Sequence, residues 1–248
     1  MYNPFNLAGK TILITGASSG IGRSTAIECS KMKARVVLTG RDQKRLEDTY
    51  NQLERGNHLM ISSDFYNEDD IDTLVRHLPI VAGIVHCAGL TKNIPFLFAT
   101  RENLDEVLNV NFYAPAEITR RALKAKRISK NGSIVFISSI SGIYCSAVAS
   151  TIYSASKGAV NGLVKGMALD LAPKSIRVNC VNPGVIQTNL FTDGPISEGQ
   201  LANDMKKYPL KRYGKPEEVA FAVIYLLSDA SKWVTGSNLL IDGGYTLL

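Results

Sequence analysis

The sequence predicts a single α/β domain in which a doubly wound parallel sheet of about seven strands is covered by helices on both faces. Short runs rich in β-branched residues alternate with longer segments of helical periodicity over nearly the whole chain. This alternation is typical of strands that pair in parallel, and a parallel sheet is buried on both faces. No repeat or linker divides the 248 residues, so one domain over residues 1–248 is expected.

The expected strands are short runs of β-branched and aliphatic residues. They are 11–15 (TILIT), 35–40 (RVVLTG), 58–64 (HLMISSD), 81–89 (VAGIVHCAG), 133–139 (SIVFISS), 177–184 (RVNCVNPG) and 238–244 (NLLIDGG). The expected helices have apolar residues three and four positions apart, as in Leu46, Tyr50 and Leu53. The first helix is expected to end near residue 32, and the others to span 41–53, 67–78, 101–126, 153–172 and 216–229.

Residues 188–214 form one long irregular segment that interrupts the alternation late in the chain. A long loop in a compact domain is often functional, so this segment is a candidate lid over a binding site. Its apolar residues have two equally weighted interpretations, a wall for a hydrophobic substrate or a small core of the lid itself. These residues are Leu190, Phe191, Leu201, Met205 and Leu210.

Composition and charge argue against several classes of protein. A hydrophobic fraction of 45% excludes a disordered chain. The net charge of +6 comes from scattered Lys and Arg, which favours an anionic ligand or acidic partner over a nucleic acid. The four cysteines form no C-x-x-C pair, which argues against a zinc site and favours reduced thiols in the cytoplasm. No signal peptide pattern and no membrane-spanning apolar run is expected.

The segment TGASSGIG (15–22) follows the first expected strand and opens a helix. Glycine allows the backbone to approach a phosphate closely, and the N–H groups at a helix start attract negative charge. The spacing G-x-x-x-G-x-G differs from the usual G-x-G-x-x-G dinucleotide pattern, and a tight strand-to-helix connection would also use glycine. The position between a strand and a helix favours dinucleotide binding.

The residues after the second strand favour NADP(H) over NAD(H) as the dinucleotide. NAD enzymes usually have an acid here that accepts hydrogen bonds from the ribose hydroxyls. This chain has Arg41, whose guanidinium would pair with the extra phosphate of NADP and stack on the adenine. Asp42 follows directly and keeps NAD open. A solvated arginine at a helix start is the alternative that needs no ligand.

Tyr153 and Lys157 lie four residues apart in YSASK, so a helix would place them on the same face. Alone, the pair would be an ordinary helix-surface contact. In a catalytic pair, the tyrosine would protonate the alkoxide that hydride transfer to a ketone produces. An ammonium within about 4–6 Å is expected to lower the tyrosine pKa from about 10.

The glycine turn, ISSISG (137–142) and YSASK (153–157) together resemble the short-chain dehydrogenases/reductases, with the pattern of the 3-oxoacyl-[acyl-carrier-protein] reductases. The resemblance runs from KTILITGASSGIG to IDGGYTLL. It implies a Rossmann-like fold, usually a homotetramer, and an oxidoreductase that interconverts a ketone and a secondary alcohol. The catalytic residues that it implies are Ser139, Tyr153, Lys157 and Asn111, with Ser138 and Ser141 as alternatives to Ser139.

In the resembling family, the serine donates a hydrogen bond to the substrate oxygen and the asparagine holds a water of the proton relay. The resemblance also implies a set of cofactor-binding residues, and no metal ligand is expected. The set is Gly16, Ser18, Ser19, Gly20, Ile21, Gly22, Arg41, Asp64, Cys87, Ala88, Gly89, Tyr153, Lys157, Pro183, Gly184, Ile186 and Thr188.

The chain departs from the family pattern where His86 and Cys87 stand in place of the usual Asn-Asn. His86 is interpreted as a structural residue and not a catalytic one, because a buried histidine at a strand end usually has a hydrogen-bond partner. The asparagine that ties neighbouring strands together is missing, so other residues must supply that connection.

The predicted substrate is a 3-oxoacyl thioester, on acyl carrier protein in particular. Lys130 and Lys174 match positions where such reductases have basic residues that dock the acidic carrier, and Lys126 and Arg127 lie near Lys130 in sequence. An ordinary solvated face is an equal alternative. The rival substrates are a sugar, a polyol or another small or hydrophobic ketone. The alternative of another class is a non-catalytic dinucleotide-binding regulatory protein.

Overall fold

A computed structural model, which describes residues 2–188 and 198–248, confirms the doubly wound sheet. Within this part of the chain, seven strands pair in parallel in the order β3-β2-β1-β4-β5-β6-β7. The strands are β1 (Thr11–Thr15), β2 (Arg35–Gly40), β3 (Leu59–Ser62), β4 (Val81–His86), β5 (Ile128–Ile137), β6 (Arg177–Pro183) and β7 (Asn238–Ile241).

Helices cover both faces of the sheet, as predicted. They are α1 (Gly20–Lys31), α2 (Gln43–Tyr50), α3 (Glu68–His77), α4 (Arg101–Leu108), α5 (Ala114–Lys124), α6 (Thr151–Leu171), α7 (Glu198–Met205) and α8 (Pro216–Leu227). Successive strand residues point to opposite faces, so Ile12 and Ile14 pack against α1, α2 and α8. Leu13 packs on the other face, against α3, α5 and α6. The sheet therefore separates two apolar cores.

The chain order of the strands reverses between β1 and β4. β1 pairs with β2 on one side and with β4 on the other, so the loops that follow β1 and β4 diverge to opposite faces of the sheet. Such a reversal leaves a crevice at the carboxyl ends of the strands, where ligands of open α/β sheets bind. Three predicted segments follow strands at this edge: the glycine turn after β1, the ISSISG segment after β5, and the loop from Pro183 to Thr188 after β6, here called the NPG loop.

Three details differ from the sequence-based expectation. The helix predicted over 101–126 is divided by a π-helical segment, Asn109–Tyr113, between α4 and α5. β5 begins at Ile128 instead of 133, because its first residues pair irregularly with β4 before regular pairing starts at Ser133. The candidate lid contains α7, but Leu190 and Phe191 lie outside the described residues. No described helix is long and apolar enough to cross a bilayer.

Candidate active site

The glycine turn presses against the end of β4. Gly16 has a φ of +64°, and a Cβ on it would lie 2.7 Å from the backbone of Ala88. A Cβ on Gly22 would lie 2.2 Å from the carbonyl oxygen of Gly16. Both distances are far below any real contact, so only glycine lets the turn fold back on α1. The small residues of TGASSGIG are therefore required by close backbone packing.

The start of α1 faces the loop that follows β6. Ser19 is the N-cap and its side chain makes no capping hydrogen bond, so the turn of Ser18, Ser19 and Ile21 presents backbone N–H groups to the crevice. A Cβ on Gly20 would lie 3.2 Å from the methyl group of Thr188. This narrow cradle, lined by glycine and N–H groups, fits the diphosphate of a dinucleotide.

The loop after β6 is fixed from two sides. The N–H of Gly184 donates to the carbonyl of Ile241 at 2.8 Å, and a Cβ on Gly184 would lie 3.0 Å from the Cα of Asp242. Ile186 forms an isolated bridge with Gly214. These contacts hold the segment from Pro183 to Thr188 beside the glycine turn, so the predicted loop and turn lie together.

Arg41 and Asp42 directly follow β2 and differ in their hydrogen-bond partners. The carboxylate of Asp42 caps α2 by accepting from the Arg45 N–H at 3.0 Å, and it also pairs with the Arg45 guanidinium at 2.7 Å. The bonds from Arg45 hold the Asp42 pKa below its ordinary value. Arg41 is exposed and has no hydrogen-bond or ion-pair partner among the described residues. The cation is thus available to a ligand and the neighbouring carboxylate is engaged.

Asp64 follows β3, next to the end of β2. Its carboxylate accepts the N–H of Tyr66 at 3.1 Å, and its own N–H donates to Asp70 at 2.8 Å. The N–H of Ser63 donates to the carbonyl of Gly40 at 3.0 Å, so the turn after β3 lies beside the end of β2. Asp64 and Arg41 are therefore at the same edge of the sheet.

Ser139, Tyr153 and Lys157 converge where β5 ends and α6 begins. Ser139 and Lys157 are buried, and the Ser139 side chain lies near enough to Tyr153 to act on the pKa of that phenol. The Lys157 ammonium lies 5.7 Å from the Tyr153 ring centroid and donates to the carbonyl of Ile137 at 2.8 Å. The hydroxyl of Ser138, by contrast, donates to the carbonyl of Lys157 at 3.1 Å. Ser139 is therefore the serine of ISSISG that meets the tyrosine.

Gly142 brings the serine loop onto α6. Its φ is +98°, and a Cβ there would lie 2.3 Å from the carbonyl oxygen of Ser154 and 2.7 Å from the N atom of Gly158. A residue with a side chain would force the loop away from the helix that carries Tyr153 and Lys157. The glycine thus sets the distance between Ser139 and the other two groups.

The effect of Lys157 on the Tyr153 pKa stays a prediction, because burial is the largest influence on that pKa in this arrangement. Burial raises the Tyr153 pKa, and the Ser139 side chain acts against that rise. Burial also lowers the Lys157 pKa to about 8, because the ammonium is desolvated while it donates to Ile137. Tyr153 is consequently held as a neutral phenol, a state suited to donating a proton.

Asn111 lies in the π-helical segment and is buried beside the pair. Its amide donates to the carbonyl of Leu90 at 3.0 Å and to the hydroxyl of Ser156 at 2.9 Å, and its oxygen accepts the Leu90 N–H. A Cβ on Gly89 would lie 3.3 Å from this oxygen and 3.5 Å from the Lys157 Nζ atom. Asn111 and Lys157 therefore flank Gly89 without a direct bond between them, and the relay stays a prediction.

Two connecting residues were missed in the sequence. The Thr15 hydroxyl accepts the N–H of Ala88 at 3.3 Å and so ties the end of β1 to the residue after β4. The Ser156 hydroxyl joins Asn111 to the carbonyl of Tyr153, to which it donates at 2.7 Å. Both are small hydroxyl residues inside motifs, where they look like spacers. Thr15 supplies part of the connection that the missing asparagine leaves open.

His86 is a structural residue in this fold. The ring is 3% exposed, stacks on Phe136 with centroids 4.7 Å apart, and bonds through Nε2 to the Thr119 hydroxyl at 2.8 Å. That hydroxyl already donates to the Pro115 carbonyl, so Nε2 carries the proton. The Nδ1 atom has no partner among the described residues.

Next to His86 in the sequence, burial raises the Cys87 pKa to about 12, so the Cys87 side chain is a neutral thiol.

The buried His86 makes stability depend on pH. Burial lowers the His86 pKa from 6.5 to about 3, so the folded chain keeps the ring neutral. The unfolded chain gains a proton below pH 6.5, and stability is therefore lost as the pH falls from 6.5 towards 3. Urea unfolding at pH 7.5 and 5.5 should show a loss about 1.4 kcal/mol smaller in His86→Leu than in wild type.

The exposed His77 provides the control for this measurement. His77→Gln should keep the wild-type pH dependence. If His86→Leu loses stability with pH as steeply as wild type does, the buried ring is not the source of the acid sensitivity.

Comparison with known proteins gives concordant matches. Residues 16–246 match the family model described as Enoyl-(Acyl carrier protein) reductase. The 3-oxoacyl-[acyl-carrier-protein] reductase FabG of Thermotoga maritima is 34% identical over 97% of this chain and 99% of the relative. Carbonyl reductase family member 4 of Danio rerio is 33% identical over 95% of this chain and 98% of its own. A solved short chain dehydrogenase/reductase family protein is 30% identical with a TM-score of 0.87, covering 97% and 99% of the two chains.

Proposed function

The chain belongs to the short-chain dehydrogenase/reductase family of oxidoreductases, which use a nicotinamide cofactor, and from that premise we propose that it is an NADP(H)-dependent reductase of 3-oxoacyl thioesters. The convergence of Ser139, Tyr153 and Lys157 beside a dinucleotide cradle carries the proposal. The relatives named as 3-oxoacyl-[acyl-carrier-protein] reductases support this substrate class.

The cofactor, bound along the glycine turn, the Gly89 region and the loop from Pro183 to Thr188, would supply a hydride to the carbonyl carbon. Ser139 would donate a hydrogen bond to the substrate oxygen as negative charge develops on it. Tyr153, whose burial keeps the phenol protonated, would give its proton to that oxygen and complete the secondary alcohol. The Lys157 ammonium would stabilise the remaining phenolate, and Asn111 with Ser156 would anchor the path that returns a proton.

The proposed preference for NADP(H) rests on Arg41 and Asp42. The Asp42 carboxylate already accepts two bonds from Arg45, which hold it at the start of α2, and the unpaired Arg41 favours a phosphate. Arg41→Ala should weaken NADPH binding about 10- to 100-fold, the loss expected for one charge-assisted contact, and leave NADH binding within about threefold. Fluorescence titration of each variant with both nucleotides measures this.

Lys44→Ala is the matched control, because Lys44 is an exposed cation three positions further along the chain, in α2. It should bind NADPH like the wild type. Equal losses for NADPH and NADH in Arg41→Ala would show that Arg41 does not read the extra phosphate.

The basic residues proposed to dock an acidic carrier lie far from the site of the same chain. Lys130 is exposed near the start of β5 and Lys174 is exposed just before β6, whereas Ser139 follows the end of β5. The regular part of β5 alone spans about 15 Å at roughly 3.3 Å per residue. A carrier docked there would lie at the opposite end of β5 from Ser139.

Turnover of acetoacetyl thioesters with NADPH tests the proposal. The carrier-protein thioester should be reduced with a lower KM than the coenzyme A thioester, and Lys130→Ala with Lys174→Ala should remove that difference. Turnover of sugars, polyols or simple ketones without thioester turnover would keep the reductase and reject the substrate. Nucleotide binding without turnover of any carbonyl would favour a regulatory dinucleotide-binding protein.

A further inference from the structure

We infer that Asn161 of α6 and Asn182 of β6 are positioning residues that fix the backbone of Ser139 relative to that of Lys157. The inference rests on the proposed function, because it concerns groups of the proposed reduction. Both side chains are fully enclosed, at 1% and 0% exposure, and neither lines the crevice. They lie beneath the catalytic groups, between β6 and α6.

The two amides form a continuous hydrogen-bonded path between the two catalytic residues. The Asn182 Nδ2 atom donates to the carbonyl of Ser139 at 2.7 Å and to the Asn161 Oδ1 atom at 3.0 Å. The Asn161 Nδ2 atom in turn donates to the carbonyl of Lys157 at 2.7 Å and to the Ser138 hydroxyl at 2.7 Å. A single chain of bonds therefore runs from the backbone of the serine to the backbone of the lysine.

The chemistry of the acceptors settles the orientation of both amides. A backbone carbonyl can only accept, so the nitrogen atoms, and not the oxygen atoms, must face Ser139 and Lys157. Each Nδ2 then uses both of its protons. The Asn161 oxygen accepts from Asn182 and also faces the Cys180 thiol, 2.9 Å away. The path has no alternative arrangement with the same number of bonds, which makes it rigid.

The serine loop also contacts the sheet, and it contacts α6 through the bond from the Ser138 hydroxyl to the Lys157 carbonyl at 3.1 Å. The N–H of Ser138 donates to Val181 at 2.8 Å, and that of Ile140 donates to Pro183 at 3.0 Å, so the peptide of Ser139 follows β6. The asparagine pair adds the connection from β6 across to α6. Removing the Asn182 amide would take the side-chain donor from the buried Ser139 carbonyl, and removing the Asn161 amide would break the path to α6 while the Lys157 carbonyl keeps its bond from the Ser138 hydroxyl. Either change would let the serine and the lysine shift relative to each other.

Another asparagine on the same strand provides a matched control. Asn179 of β6 is also 0% exposed and also makes two bonds, donating to Val234 at 2.9 Å and accepting from Ser237 at 3.0 Å, but neither bond leads to a catalytic residue. Substitutions at Asn179 and Asn182 should therefore cost similar stability. Only those at Asn182 and Asn161 should disturb the catalytic geometry.

The first test is hydrogen exchange of the protein without nucleotide, measured by mass spectrometry. Asn182→Ala should raise amide exchange in residues 138–142 about tenfold, and Asn179→Ala should raise it in 234–237 instead. The second test is kinetic. Asn182→Ala and Asn161→Ala should each lower kcat about 10- to 100-fold with NADPH affinity within about threefold, and the double variant should lose little more than the worse single variant.

The inference is overturned if Asn182→Ala changes exchange in 138–142 and kcat no more than Asn179→Ala does, or if the losses of Asn161→Ala and Asn182→Ala simply add. Should the alanine variant not fold, Asn182→Ser and Asn179→Ser replace the pair under the same comparison. A wild-type protein that reduces no carbonyl would refute the proposed function, and the exchange experiment would still decide the inference.

Discussion

Tyr153→Phe is expected to lower kcat about 10³-fold, within the range that a positioned general acid contributes, while NADPH affinity stays within about threefold. The substitution removes only the phenolic oxygen. The ring keeps its place in α6 beside Lys157, whose ammonium lies 5.7 Å from the ring centroid. Burial holds the Tyr153 phenol protonated, and the neighbouring Lys157 ammonium donates to the carbonyl of Ile137 at 2.8 Å, so the substitution removes the donor beside Ser139. Steady-state kinetics and nucleotide titration on the same preparation separate the two effects.

Tyr50→Phe is the control for this variant, since Tyr50 ends α2 and has no place in the crevice. It should keep wild-type turnover. A Tyr153→Phe protein that reduces its substrate at the wild-type rate would refute the proton-donor role. It would also refute the mechanism derived from the convergence of Ser139, Tyr153 and Lys157.

Gly22→Ala is expected to weaken nucleotide binding about 100-fold, equivalent to about 2.7 kcal/mol, and to lower the unfolding free energy by about 1–3 kcal/mol. The added methyl group would lie 2.2 Å from the Gly16 carbonyl oxygen and 2.7 Å from the Gly16 carbonyl carbon, and these backbone atoms cannot move aside as a side chain can. The turn and α1 must then move apart, and the N–H groups of the diphosphate cradle move with them. Nucleotide titration and urea unfolding measure the two losses.

A glycine-to-alanine substitution elsewhere in the chain should raise the stability of the protein instead of lowering it. Gly162 lies inside α6, and a Cβ there would meet nothing within 4 Å. Gly162→Ala should therefore stabilise the protein by about 0.5–1 kcal/mol, the difference in helix propensity, without affecting nucleotide binding. Equal behaviour of the two variants would show that close packing at Gly22 does not shape the cradle.

The strands could be predicted from the sequence because each is a compact apolar run between helical segments. The glycine motifs could be predicted because close packing at these positions leaves no room for a side chain. The π-helical segment around Asn111 could not be predicted. It occupies only the five residues Asn109–Tyr113 in a pattern that otherwise has continuous helical periodicity, and Asn111 in it bonds to Leu90 and Ser156, which are distant in sequence.

The protonation states required the structure as well. Spacing alone places an ammonium near the phenol of Tyr153, but it does not reveal that both groups are desolvated or that Lys157 donates to Ile137. Likewise, the sequence alone does not distinguish the roles of Asn161 and Asn182 from that of Asn179. Only the partners of each amide show which asparagines lead to the catalytic groups.

The order of the strands also affects how the protein folds during its synthesis on the ribosome. The central pairing joins Ile12 to Gly83, so the first strand must wait for a partner 71 residues later (83 − 12) before the crevice has two sides. The entropy of closing such a long loop is lost before the contacts compensate it, which makes folding slow in this topology. The serine, the tyrosine and the NPG loop follow still later. A chain that ends before Thr188 therefore lacks part of the proposed site, and catalytic competence can arise only after the loop from Pro183 to Thr188 has been synthesised.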